Sequence, residues 1–123
     1  MKTLIKINQM LLRLLVLVML VLGVMVWMGH AGVLNPHIGL GFIFTSLVLL
    51  QALFGAWARV GWGLVGMTVV WAILLPVIGL GQRTFMLGGA HWAVQAFHLL
   101  FGVATLVFVE RIGKRALTKP PAA

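Results

Sequence analysis

Four histidines, His30, His37, His91 and His98, carry most of the chemistry open to this chain of 123 residues. Imidazole is a metal ligand and a proton carrier, and its nitrogens donate or accept hydrogen bonds. Few other side chains here compete for those roles. Glu110 is the single acid, which removes mechanisms built on paired carboxylates and carboxylate-rich Mg²⁺ or Ca²⁺ sites. There is no Cys, so a thiolate nucleophile, a disulfide, an iron–sulfur cluster and a covalently attached c-type haem are excluded.

The spacing of the histidines is informative. His30-x6-His37-x3-Gly41 recurs as His91-x6-His98-x3-Gly102. His91 and His98 are seven residues apart, close to two helical turns, so they share one side of a helix. A Gly one turn from a His leaves room for the face of a flat ligand, although Gly in membrane helices also simply permits close helix contact. Other polar residues among the apolar runs are few. Gln95 lies between two histidines, where it orients an imidazole or only packs, and Gln51 is placed to hydrogen-bond across helices. Polar groups of this kind in lipid are costly and usually face a bundle interior.

The elements that must position these residues follow from composition. The chain is 63% apolar and 8% charged, with a mean hydropathy of +1.17, whereas soluble domains devote about a quarter of their residues to charge. No Asp, Glu, Lys or Arg occurs from Leu14 to Ala58, from Val60 to Gln82 or from Thr84 to Val109. Runs of this length exceed the roughly 20 residues that cross a bilayer, and the first suffices for two crossings. The expected fold is an all-α integral membrane four-helix bundle, one domain over 1–123, with helices at about 12–30, 36–58, 61–81 and 88–110. The charged, apolar start reads as an uncleaved signal anchor, and the Pro- and Ala-rich tail, 118–123, as disordered.

The net charge of +8 fits a membrane rather than nucleic acid, because of where it falls. With four spans, eight of the nine Lys and Arg residues lie on the side of the termini and only Arg83 lies opposite. The positive-inside rule then puts both termini in the cytoplasm, in a multi-pass protein of a bacterial-type inner membrane. The basic ends attract anionic lipid headgroups. Trp57 and Trp62 fall at one interface, Trp27 and Trp92 at the other, and Trp71 lies deep.

In this topology His30, His37 and His91 lie near the outer face. His30 also suits a plain headgroup-level role. Counting up from Arg59 and Glu110 at about 1.5 Å per residue puts His37 roughly 33 Å up, His91 roughly 28 Å and His98 roughly 18 Å. Imidazoles at one height on facing helices are the arrangement that holds haem iron from both sides. By this count His37 with His91 ranks first and His37 with His98 second.

The segments Asn35-Pro36-His37-Ile38-Gly39-Leu40-Gly41 and Ala90-His91-Trp92-Ala93-Val94-Gln95-Ala96-Phe97-His98 resemble one four-helix half of the haem A synthase fold, and more loosely other small b-type cytochromes of bacterial membranes. Synthase halves carry an acid just before the helix 2 His, where this chain has Asn35 and Pro36, and they come in pairs. The resemblance therefore implies haem binding rather than haem synthesis.

The function expected is a membrane b-type cytochrome holding one haem b. It would be an electron carrier rather than a stand-alone enzyme, with no catalytic residue assigned. Cofactor contacts are expected from His37, His91, His98, His30, Gly41, Gly102 and Gln95, with iron ligands drawn from His37, His91 and His98. The expected partners are the lipid bilayer, a quinol or a redox protein, and a second copy or a larger membrane complex. Two other readings stand beside this one. The first is a non-redox metal or small-molecule transporter using the histidines and some of the seven Met. The second is a cofactor-free accessory subunit.

Overall fold

The computed structural model describes residues 1–82, 84–85 and 88–118. Arg83 and the end of the expected tail, 119–123, lie outside the described residues. The chain forms α1 (Lys2–Trp27), a short 3₁₀ turn (Ala31–Val33), α2 (Leu34–Trp57), α3 (Trp62–Gly81) and α4 (His91–Thr118). All four helices are long and apolar enough to cross a membrane. One end of the bundle holds the α1–α2 and α3–α4 connections (the loop end). The other holds the α2–α3 turn and the outer ends of α1 and α4 (the terminal end).

Two connections are set by backbone chemistry. At the end of α1, Gly29 takes φ +92°, while its N–H donates to the Val26 carbonyl and that of His30 to the Met25 carbonyl. This is the six-to-one and five-to-two pairing of a Schellman cap. The end of α2 repeats it with Arg59 at φ 52°, Arg59 donating to Ala56 and Val60 to Gly55.

Helices α1 and α4 are longer than their uncharged runs. The first begins at Lys2 rather than near residue 12, and the fourth continues to Thr118 rather than ending near 110. Packing is the reason. Ile5, Ala52, Val60, Val65, Ile112 and Ala116 form a buried cluster at the terminal end. Charged residues beside it, such as Lys6 and Arg111, occupy exposed positions of the same helices. Thr118, expected in the tail, is the last residue of α4.

Between this cluster and a central one (Leu12, Val16, Phe44, Val48, Ala72, Leu75, Phe101, Val109) sits a polar layer. Asn8 donates its amide to Gln51 Oε1 at 2.8 Å and to the Leu47 carbonyl at 3.0 Å, tying α1 to α2 across the interior. The sole acid has a structural task at the α1–α4 seam. Glu110 accepts from Arg13 Nε and Nη2 at 2.6 and 2.7 Å, and from Gln9 at 3.1 Å. Forked guanidinium–carboxylate pairing of this kind neutralises both charges with geometric specificity.

Where α1 meets α4, Gly113 lies so close to Gln9 that a methyl there would overlap the Gln9 amide. Membrane helices associate by this kind of close approach, since lipid is as apolar as Leu. Gly113→Leu is expected to part α1 from α4, break the Gln9–Glu110 bond and lower stability by about 1–3 kcal/mol. Unfolding titrations in mixed micelles measure this, and an unchanged midpoint would contradict it.

The two halves share one plan. Five of the six buried positions of α2 (44, 48, 51, 52 and 55) have buried counterparts 61 residues later in α4 (105, 109, 112, 113 and 116). Ile5, Asn8 and Leu12 of α1 correspond at a spacing of 60 to Val65, Thr68 and Ala72 of α3. Sequential helices pack as neighbours, α1 closes on α4, and α2 meets α4 across the middle while α1 and α3 stay apart. An approximate two-fold axis along the bundle relates the two hairpins and brings equivalent positions of α2 and α4 face to face.

Candidate functional site

Toward the loop end, above the central cluster, the four helices line a partly open cavity of about 340 Å³. Its walls are mostly apolar: Val16, Met19 and Leu20 from α1, Phe44 from α2, Leu75 from α3 and Leu99 from α4. The polar exceptions are His37, Thr45, Gln82, His91, Gln95 and His98.

His37 on α2 and His98 on α4 face one another across it. Their ring centroids are 6.4 Å apart and their planes 66° apart. This is the pairing that the two-fold plan demands, because His37 and His98 are themselves separated by 61 residues. His91 and Gln95 line the same cavity above His98. Height counting ranked His91 ahead of His98 as the partner of His37. The structure sets His98 level with His37, because α4 ends at Thr118 and not at Glu110.

Each member of the facing pair rests against a glycine of the neighbouring helix in its own hairpin. A methyl at Gly23 of α1 would stand 3.4 Å from His37 Cε1, and one at Gly79 of α3 would stand 2.8 Å from His98 Cε1. The second distance is closer than carbon atoms tolerate, so His98 adopts this position because residue 79 has no side chain. Pro76, one turn earlier in α3, also lines the cavity. It removes the N–H that would pair with the Ala72 carbonyl. Gly41 and Gly102, one turn below the two histidines, also line it. A methyl at either would meet only the tip of Met19 or of Leu75.

The Nδ1 atoms of His37, His91 and His98 and the Thr45 hydroxyl are buried without a hydrogen-bond partner. Such a group costs about 1–3 kcal/mol; of the six unpaired atoms of this kind among the described residues, these four line the cavity, and Asn8 Oδ1 and Gln51 Nε2 lie in the polar layer below. His30 is apart from it. Its side chain is exposed, with Nδ1 3.3 Å from the Met25 carbonyl, and it serves the α1 cap. The deep Trp71 is also structural, stacked on Phe101 at 4.2 Å with its N–H donated to the Phe101 carbonyl.

Among the described residues no three His, Asp or Glu side chains converge as a metal cluster. Two imidazoles alone do not make a closed tetrahedral zinc site. They do supply the two axial positions of a metal already held in a flat macrocycle. Gly23, Gly79, Thr45 and Gln82 were not legible as site residues. In sequence Gly23 and Gly79 are two of fifteen glycines, with no spacing to a histidine that separates them from the rest. Compared with family models, curated proteins and solved structures, the chain shows no significant match.

Proposed function

We propose that this protein is a membrane-embedded b-type cytochrome that holds one non-covalent haem b between His37 and His98. The observation that carries the reading is the separation of the two rings. A ligating nitrogen lies roughly 2 Å from iron and about 1.1 Å from the centre of its own ring, so two imidazoles holding one iron from opposite sides would have centroids about 6.2 Å apart. The centroids here are 6.4 Å apart. The 66° between the planes is compatible, since ligation requires each plane to contain the nitrogen–iron axis and leaves rotation about it free. The cavity lies within the range of about 300–1,000 Å³ usual for ligand sites. Its glycines clear the ring faces, and the absence of Cys from the chain fits a group held without thioether bonds.

Bound iron supplies one-electron transfer. The chain's part is to fix two imidazoles on rigid helices, exclude water with an apolar wall, and set the potential through burial and hydrogen bonds. With its termini cytoplasmic, the bundle holds the haem near the outer face of a bacterial-type inner membrane. There a quinol or an outer-side redox protein is its electron partner, and the cytochrome acts alone or as a subunit of a larger complex. The cytoplasmic placement is tested by a reporter fused after Ala123, which should be active only inside the membrane.

The haem reading is tested by pyridine haemochrome analysis of the protein purified in detergent. One haem b per chain is expected, with α and β bands sharpening on reduction. Protein that takes up no haem when expressed with ample haem supply, or that binds two per chain, would contradict it.

A further inference from the structure

The cavity is long, and its two ends differ. On α4 it runs from His91 to Val103 and on α2 from Leu34 to Thr45, about 16–18 Å along the bundle. The facing histidines sit part of the way down. Below them the floor is closed by apolar side chains, including Val16, Phe44 and Leu75, with Thr45 the polar exception. Above them, at the loop end, stand four groups able to donate hydrogen bonds: His91, Gln95, Gln82 and the indole N–H of Trp27. No described residue lining the cavity is an acid.

A haem ligated from α2 and α4 has its plane roughly along the bundle axis, so one edge points toward the loop end and the other toward the floor. Its two carboxylate arms leave from one edge. Buried carboxylates need charge-assisted hydrogen bonds, and an apolar floor supplies almost none. His91 lies two turns, about 10.5 Å, above His98, which is the reach of a haem carboxylate from its iron. Its Nδ1 is buried without a partner.

We propose that His91, with Gln95 and Gln82, forms a carboxylate-binding end of the cavity that receives the propionate arms of the haem and fixes which way the haem stands. This rests on the haem reading above and assigns His91 a second role, distinct from iron ligation. His91 belongs to the cavity because it holds the acidic edge, while His37 and His98 hold the metal.

The test compares iron protoporphyrin IX with its dimethyl ester, which lacks free carboxylates, by titration into the haem-free protein in detergent. The wild-type chain should form a low-spin complex with both. The ratio of ester to free-acid dissociation constants should fall about tenfold in His91→Ala, with the low-spin spectrum retained. His91→Gln, which keeps a donor, should recover part of that ratio. Gln95→Leu should lower it about threefold, and it provides a check should His91→Ala fold poorly. An unchanged ratio in both His91→Ala and Gln95→Leu would overturn the proposal, and so would loss of the low-spin spectrum in His91→Ala with its retention in His98→Ala. Failure of the wild-type chain to form a low-spin complex with either compound would instead overturn the haem reading itself.

Discussion

His98→Ala is expected to abolish the low-spin haem spectrum and to weaken haem binding at least a hundredfold, while His91→Ala keeps the spectrum. Loss of a neighbour that merely orients a metal ligand costs about 10–100-fold in affinity, and loss of the ligand itself costs more. The contrast follows from register. Taking Trp57 and Thr118 as matching ends of α2 and α4, His37 and His98 each stand twenty residues up their helices. His91 stands seven residues higher, too far along the axis to share an iron with His37. His37→Ala should reproduce the effect of His98→Ala. Visible spectra of the three variants, with haem content and unfolding midpoints measured on the same samples, decide the matter. A retained low-spin spectrum in His98→Ala would refute the assignment.

Gly79→Ala should be nearly as damaging to haem binding, although residue 79 carries no side chain and belongs to a third helix. A methyl there would stand 2.8 Å from His98 Cε1, so the imidazole must move from the position it holds opposite His37. If that shift takes the ring off its line to His37, the expected result is a loss of haem affinity of about 10–100-fold, comparable to removing a group that orients a metal ligand. The fold itself should survive, because Ala is favoured over Gly in a helix by about 1 kcal/mol. Gly23→Ala is the control. Its methyl would lie 3.4 Å from His37 Cε1, a tight contact that a shift of a few tenths of an ångström relieves, and affinity should change less than threefold. Equal effects of the two substitutions would show that the glycines serve helix packing in general.

What the sequence revealed and what it concealed have different physical origins. The number of helices was legible because charge cannot be buried cheaply in lipid, so the uncharged runs predicted helices long and apolar enough to cross a membrane, and four such helices form. That His37, His91 and His98 face the bundle interior was legible for the same reason, and all three line the cavity. The His-x3-Gly repeat was also legible, and it already contained the register, since it sets His37 opposite His98. Height counting obscured that register by taking Glu110 as the end of the fourth helix. A charge ends an apolar run but not a helix, and this one is neutralised by Arg13 while α4 continues for two more turns on buried Ile112, Gly113 and Ala116. Gly23 and Gly79 were not legible, because which glycine meets an imidazole depends on how α1 and α3 rotate against their neighbours. No local pattern encodes that rotation. His30 shows the converse: it belongs to the histidine repeat, yet the Schellman turn at Gly29 carries it out of the cavity.

The central claim is that two imidazoles, those of His37 and His98, bind one iron. Low-temperature electron paramagnetic resonance of the ferric protein tests it most directly, because the signal reports both the axial ligands and the angle between their planes. With ring planes 66° apart, the expected result is a low-spin ferric signal of strong anisotropy, of the kind that non-parallel imidazoles give, at one spin per chain. A high-spin signal, or a low-spin signal that survives unaltered in His98→Ala, would contradict the account.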